Sequence, residues 1–313
     1  MDGVVGGAIG PKFRDPLWTA DGRPRASVAP DALMTLWFNT GTLCNLACGH
    51  CYIESSPRND ALVHLTAEEV GRFLDEAVHE APDLREVGFT GGEPFVNRDL
   101  TAMLADALGR GLDALVLTNA TRPLTVHRAA ITELAARFGA RLGFRVSLDH
   151  FNSARHEAER GPGTFAWALE GLRWLSGTGA RVAVAGRLAF GLNEEELRRG
   201  YAAMFAEQCL SLDADDPRQL VLFPEMDGSA AVPEIAESCW DLLGVRPQAM
   251  MCASSRMVVR RRGADRAEVM ACTLIADDER FRCGTSLAEA RRRVWLSHPH
   301  CSRFCVLGNA KCG

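Results

Sequence analysis

Between Ala32 and Pro224 the apolar positions follow two periods. Short runs of aromatic and branched residues, MTLWFN (34–39), VGFT (87–90), ALVLT (114–118), FRVSL (144–148), VAVAGRLA (182–189) and LVLF (220–223), suit a pleated surface and read as strands. Between them, 98–110, 126–139 and 164–176 repeat their apolar positions at helical spacing. Two further helices announce their starts: Thr66 with Glu69 and Asn193 with Glu196 have the spacing at which a cap side chain and a third-position carboxylate satisfy each other's backbone N–H groups. Most strands are followed by a helix, giving six βα units in about 190 residues and the fold class α/β. Right-handed crossovers would curl such a parallel sheet into a partial (β/α)6 barrel of TIM type. A complete eight-unit barrel needs about 250 residues and would leave too little chain for a distinct C-terminal portion.

The two ends have a different texture. Residues 1–31 are rich in Gly, Pro and Arg without a sustained period, and are expected to be an irregular, partly mobile lead-in. After Pro224 the chain runs through PEMDGSAAVPEIAESC and the basic turn RRRGADR and holds seven of the eleven cysteines. The expected organisation is a lead-in (1–31), a core barrel (32–228) and a small C-terminal cysteine-rich domain (229–313).

Charge and composition narrow the function. With 35 basic and 40 acidic residues the net charge is −5, so bulk charge offers no nucleic-acid footprint and no attraction to an anionic membrane; a small molecule or a peptide is the expected partner. Apolar stretches such as LDALVLT (112–118) fall far short of the roughly 20 residues of a membrane span, and the acidic, Gly-broken N-terminus lacks the features of a secretory signal. The expected location is the cytoplasm. In a reducing compartment, cysteines clustered at 44–51 and 252–312 point to metal or redox chemistry rather than disulfides.

The first cluster is TGTLCNLACGHCYIESSP (40–57), where Cys44, Cys48 and Cys51 fall within eight positions directly after the first strand. That is the C-terminal end of a barrel strand, where barrel enzymes keep their chemistry. Three thiolates can hold three irons of a 4Fe-4S cluster, whose protein ligation is ordinarily four cysteines. A zinc site would have to recruit His50, whose adjacency to Cys51 makes joint ligation awkward. The Cys-x3-Cys-x2-Cys loop resembles the motif of the radical S-adenosylmethionine enzymes. The resemblance implies that the open iron is chelated by the amino and carboxylate groups of S-adenosylmethionine. It also implies that cluster reduction cleaves this cofactor to methionine and a 5′-deoxyadenosyl radical, which takes a hydrogen atom from substrate. A reducing electron donor such as flavodoxin or ferredoxin is implied with it. The second strand runs into Gly91, Gly92, Glu93 and Pro94, which resembles the family's GGEP motif, where backbone and carboxylate hold the methionine ammonium. Glycines would let backbone approach a ligand, and a carboxylate would pair with a cation. This chain has His50 where the family commonly has an aromatic before the third cysteine, so adenine contact falls to His50 or Tyr52. Thr118 and Asn119 end the third strand. Ser147 and Asp149, in VSLD, resemble the family's cofactor-ribose contacts, and Arg187 in the fifth strand is a candidate partner for the cofactor carboxylate.

Cys252, Cys272, Cys301 and Cys305, with CGTSLAEA (283–290) between them, resemble the Twitch and SPASM extensions that carry auxiliary 4Fe-4S clusters, and the small count fits the single-cluster Twitch form. A structural zinc ion would use the same four thiolates. Cys283 is left over, together with either Cys312 or Cys305, while Cys209 and Cys239 are expected to be buried small hydrophobes. The leading expectation is net oxidation of a small molecule, with the auxiliary cluster accepting the electron. The competitors are a redox-neutral epimerase using Cys283 or Cys312 as hydrogen donor, a ribosomal-peptide-modifying enzyme, and, outside catalysis, an iron-sulfur electron carrier or a zinc-stapled binding module.

Overall fold

The computed structural model describes residues 11–224 and 232–308. The first pair of elements is β1 (Ser27–Val28) and β2 (Thr35–Asn39), followed by α1 (Ala67–Glu80) and β3 (Glu86–Thr90). Then come α2 (Leu100–Gly109), β4 (Asp113–Thr118), the short α3 (Arg122–Thr125), α4 (Arg128–Phe138) and β5 (Leu142–Ser147). The barrel continues with α5 (Ser153–Arg160), α6 (Thr164–Ser176), β6 (Arg181–Leu188), α7 (Glu194–Glu207) and β7 (Leu220–Pro224). All six expected strands are present, paired in parallel in the order β2-β3-β4-β5-β6-β7.

Local chemistry explains the helix starts. At α1, Thr66 Oγ1 accepts from Glu69 N (3.2 Å) and Glu69 Oε2 accepts from Thr66 N (3.0 Å), and Asn193 and Glu196 repeat the exchange at α7. The face of α1 made of Val70, Phe73, Leu74 and Ala77 is buried in the hydrophobic core, at the spacing that keeps side chains on one side of a helix. Burial of each large apolar side chain there stabilises by about 1.5–3 kcal/mol, and truncating Phe73 to Ala would cost about 3–5 kcal/mol.

Three features were not legible in the sequence. The C-terminal region, with α8 (Cys239–Leu243) and α9 (Met251–Ser254), places β8 (Ser255–Val259) parallel to β2, pairing Thr35 with Ser255 through Phe38 with Val258. β9 (Glu268–Met270) and β10 (Arg282–Gly284) add antiparallel to it, so the cysteine-rich region extends the barrel sheet to nine strands instead of standing apart. Second, the part of the lead-in from residue 11 onward is tied down. β1 pairs antiparallel with β11 (Val294–Trp295), and Arg25 donates to Glu234 Oε1 (2.6 Å) with both side chains almost wholly buried. Third, α5 is a helix without an apolar period, in which only His156 is buried; it starts because Asn152 Oδ1 accepts from Arg155 N (3.2 Å) and stops at Gly161, φ +98°. Cys209 also departs from expectation: it is exposed, at φ +53° just past α7, while Cys239 is half-buried. No helix among the described residues is long and apolar enough to cross a membrane.

Candidate active site

The cysteine loop leaves the C-terminal end of β2 and is clamped onto the turn after β3. Gly92 N donates to Gly41 O (2.8 Å), Glu93 N to Leu43 O (3.2 Å) and Thr40 N to Thr90 O (2.8 Å). A Cβ at Gly92 would stand 2.2 Å from Leu43 O, and one at Gly91, φ +129°, would stand 2.5 Å from Gly41 O. The two glycines are therefore required by the contact between loops, and both also border a cavity at the strand ends.

Cys44, Cys48 and Cys51 line this cavity, which encloses about 220 Å³ at the C-terminal ends of the strands. His50, Tyr52, Gly91, Gly92, Asn119 and Ser147 also line it, as do Asp149 and Arg187. Of the expected cofactor contacts, Glu93 and Pro94 are not on its wall. Pro94 is buried at the start of a 3-10 turn. The Glu93 carboxylate is turned inward, where Oε1 accepts from Thr118 Oγ1 (2.8 Å) and Phe95 N (3.2 Å) and Oε2 accepts from Asn119 N (2.7 Å). Burial pushes this carboxyl up to about 7, against the pull of the three donors. Glu93 thus fixes the end of β4, and Ala120 at φ +53° turns the chain so that Asn119 Nδ2 donates to Asn45 Oδ1 (3.0 Å) in the cysteine loop.

The thiols sit in backbone N–H fields: Cys44 Sγ accepts from Leu46 N (3.4 Å) and Cys51 Sγ from Ser55 N (3.3 Å). Burial pushes the Cys44 thiol up to about 12 and raises Cys48 as well, so displacement of their protons needs a bound cation. Sequence reasoning missed the adjacent pair that closes the opposite wall. Arg160 clasps Asp149 with Nε to Oδ2 (2.7 Å) and a terminal nitrogen to Oδ1 (2.8 Å), while Glu159 meets His50 (3.3 Å) and Arg187 (3.2 Å). Burial alone would raise Asp149, but the guanidinium overrides it and holds the carboxyl below the ordinary range. Both missed residues end α5, and the Asn152 cap and the Gly161 stop were the available signals.

A second pocket lies in the C-terminal region. Cys252, Cys272, Cys301 and Cys305 all line it, the last two on a π-helical turn, Cys301–Leu307, that sets positions four apart nearly one above the other. Cys272 Sγ accepts from Leu274 N (3.4 Å), and burial pushes Cys252 up to about 11 and Cys301 up to about 12. Leu274 borders this pocket and the first cavity alike. Phe304, between the two π-turn cysteines, also borders the first cavity and stacks on Phe223 (5.7 Å between centroids). Cys283 borders neither space: it is buried with its thiol directed to Phe281 O (3.7 Å), which removes it from the place a hydrogen donor must occupy. Cys312 lies outside the described residues.

Three thiols around one cavity, a fourth position left to a chelating ligand, and carboxylate, hydroxyl and guanidinium groups on the walls fit a 4Fe-4S cluster with an amino-acid-bearing cofactor. A barrel of parallel strands with its chemistry at their C-terminal ends is the setting for such a site. The chain belongs to the radical SAM superfamily, whose family profile matches residues 38–200, just over half of the 313. Its cofactors are accordingly a 4Fe-4S cluster and S-adenosylmethionine.

Among individual proteins, it is 34% identical over 143 residues to the antilisterial bacteriocin subtilosin biosynthesis protein AlbA of Bacillus subtilis, covering 45% of this chain and 30% of that one. It is 30% identical over 151 residues to the mycofactocin maturase MftC of Mycolicibacterium smegmatis, covering 48% and 36%. The matching region thus spans about a third of the length of these relatives. In fold it is similar to Streptococcus suis SuiB bound to S-adenosylmethionine (TM-score 0.59, 12% identity, 80% of this chain and 63% of that one). It is likewise similar to anSMEcpe with bound AdoMet (TM-score 0.58, 15% identity, 82% and 77%).

Proposed function

We propose that this protein oxidises a peptide substrate, with hydrogen abstraction at the cavity lined by Cys44, Cys48 and Cys51 and electron acceptance at an auxiliary 4Fe-4S cluster held by Cys252, Cys272, Cys301 and Cys305. When bound, the cluster of the first site and S-adenosylmethionine supply a 5′-deoxyadenosyl radical that removes a hydrogen atom. The observation that carries the reading is Leu274, which borders both spaces while its N–H donates to Cys272 Sγ. A substrate in the first cavity therefore lies one side chain away from the four-cysteine pocket.

The chain's own groups divide the remaining work. Gly91 and Gly92 hold the cysteine loop in place, and Glu93, through Asn119 N, fixes the wall against which a cofactor must lie. Asp149, kept ionised by Arg160, and Ser147 present acceptors suited to ribose hydroxyls. His50 and Tyr52 offer flat faces for adenine, and Arg187 offers a cation for a carboxylate. Leu274, Phe223 and Phe304 close the side toward the auxiliary pocket with apolar surface and keep water from the reacting carbon.

Support for a peptide, in place of the small molecule expected from sequence, comes from the roles named for the two relatives, bacteriocin biosynthesis and mycofactocin maturation. The test is mass spectrometry of candidate peptides after anaerobic incubation with reductant and S-adenosylmethionine. A loss of two hydrogens is expected. A product of unchanged mass that gains one unit in deuterated water would favour epimerisation and overturn the reading.

A further inference from the structure

Two arginines are almost wholly buried among the described residues, Arg25 and Arg256, each 3% exposed. Arg25 faces the carboxylate of Glu234 (2.6 Å). Arg256 forms no ion pair among the described residues, and its hydrogen bonds run to four backbone carbonyls. Nε donates to Ala290 O (2.9 Å), one terminal nitrogen to Cys252 O (2.5 Å) and Ser255 O (2.7 Å), and the other to Arg292 O (3.2 Å). A guanidinium cannot shed its proton, and carbonyl dipoles satisfy its N–H groups without cancelling its unit charge. Burying such a charge is costly until an opposite charge stands beside it.

The place of Arg256 says where that opposite charge belongs. It lies on β8, four residues after Cys252, and its side chain reaches back to the end of α9 and that cysteine's carbonyl. Cys252 is one of the four thiols around the auxiliary pocket. Burial raises the Cys252 and Cys283 thiols, and the Arg256 charge is the strongest influence pulling each of them back. Arg256 also borders a separate hollow that holds Asp31, Glu80 and Asp83. Asp31 and Asp83 are exposed, where water and salt screen them.

Four thiolates outweigh the positive charge of a 4Fe-4S core, so the loaded pocket is anionic, and uptake of an electron makes it more so. We propose that Arg256 is the counter-charge of the auxiliary cluster and raises its reduction potential, fitting it to accept the electron left on the substrate carbon. In that step the carbon radical gives one electron to the cluster and one proton to solvent, which completes the loss of two hydrogens. The electron then leaves the cluster to a one-electron carrier of the ferredoxin class. Arg256 acts through the cluster, as a positioning residue. The inference rests on the reading of the four-cysteine pocket as an electron acceptor and adds the residue that sets its potential.

The test uses the full chain with Cys44, Cys48 and Cys51 changed to Ala, reconstituted so that the auxiliary cluster alone is present, and a redox titration followed by electron paramagnetic resonance. Arg256→Met should lower the midpoint potential, the one-electron reduction constant falling about tenfold, or ~59 mV. Arg256→Lys keeps the charge and should keep most of the parent value. Iron content, about four per chain, and circular dichroism separate this effect from misfolding. Should the Met variant fail to load iron, Arg256→Gln keeps an amide donor for Cys252 O without the charge.

A lowered midpoint in a neutral variant supports the counter-charge, as does iron lost from both neutral variants yet kept by Arg256→Lys. An unchanged midpoint in a neutral variant at full iron content would overturn the role of Arg256 and leave the electron-acceptor reading intact. Iron lost from all three variants alike would also overturn it, in favour of a packing role. A parent protein that holds zinc, or no metal, at the four cysteines would overturn the reading of that pocket and this inference with it.

Discussion

Arg160 grips Asp149 through two hydrogen bonds, 2.7 and 2.8 Å, with both side chains largely withdrawn from water at the rim of the cysteine-lined cavity. The folded-state pKa of Asp149 lies below its ordinary value of about 4, so folding favours the charged form. The pair's contribution is complete above that value and fades as pH falls through the lower, folded one. Arg160→Leu would strand a buried carboxylate, and urea denaturation at pH 7 should show a loss of about 3–5 kcal/mol, much of it recovered when Asp149→Leu is added. A loss below about 1 kcal/mol in the single variant would mean that water reaches the pair.

Glu93 has the opposite sign. Its carboxyl is pushed up to about 7, so the folded chain holds the proton more tightly than the unfolded one. That contribution is full below the ordinary Glu range and is lost as pH rises to about 7, a change of roughly 3 kcal/mol. Stability curves of the apo protein and of Glu93→Gln, measured from pH 5 to pH 8, should therefore converge or cross in favour of the variant at the alkaline end. Curves that stay parallel would place water or a compensating cation beside the group.

The two cysteine sets should separate by iron count. Anaerobically reconstituted protein is expected to carry about eight irons; changing Cys44, Cys48 and Cys51 to Ala should leave about four and abolish 5′-deoxyadenosine formation. Replacing Cys252, Cys272, Cys301 and Cys305 should also leave about four, yet keep that cleavage and stop oxidation. Cys283→Ala should retain both iron and product, since its thiol faces Phe281 O. Cleavage surviving in the first variant would sink the site assignment.

Leu274 offers a finer measurement, because it alters neither set of thiols. Leu274→Ala opens the partition between the two spaces at an expected stability cost of about 2–5 kcal/mol. Iron content should be unchanged, while the ratio of 5′-deoxyadenosine formed to peptide oxidised should rise several-fold. An unchanged ratio would show that Leu274 has no part in coupling the two sites.

Much of this architecture was legible because local and global signals agreed. All six strand candidates became barrel strands, and both capping boxes form reciprocally. The three cysteines reached one cavity because they occupy a single loop beyond β2. What escaped depended on distant partners. Ser255–Val259 lies within the cysteine-rich segment, and nothing in its own residues names β2 as its neighbour. Helix α5 has no apolar face, so Glu159 and Arg160 gave no periodic sign. The inward turn of Glu93 depends on Thr118 and Asn119, some 25 residues away in sequence.

The place of β8 beside β2 also sets a timetable for synthesis. Strand β2 is complete at Asn39, whereas its outer neighbour begins at Ser255, 216 residues later (255 − 39). At ~5–20 residues per second, a ribosome needs roughly 10 to 40 s to cover that interval. Throughout it, the backbone N–H and C=O groups along one edge of TLWFN lack the partner they will finally have, on a strand carrying Leu36, Trp37 and Phe38. An open apolar edge recruits other chains, so the nascent barrel is most exposed to aggregation before the cysteine-rich region emerges. Slower translation or a shortage of holding chaperones should therefore lower the yield of this protein even under conditions in which the finished fold is stable.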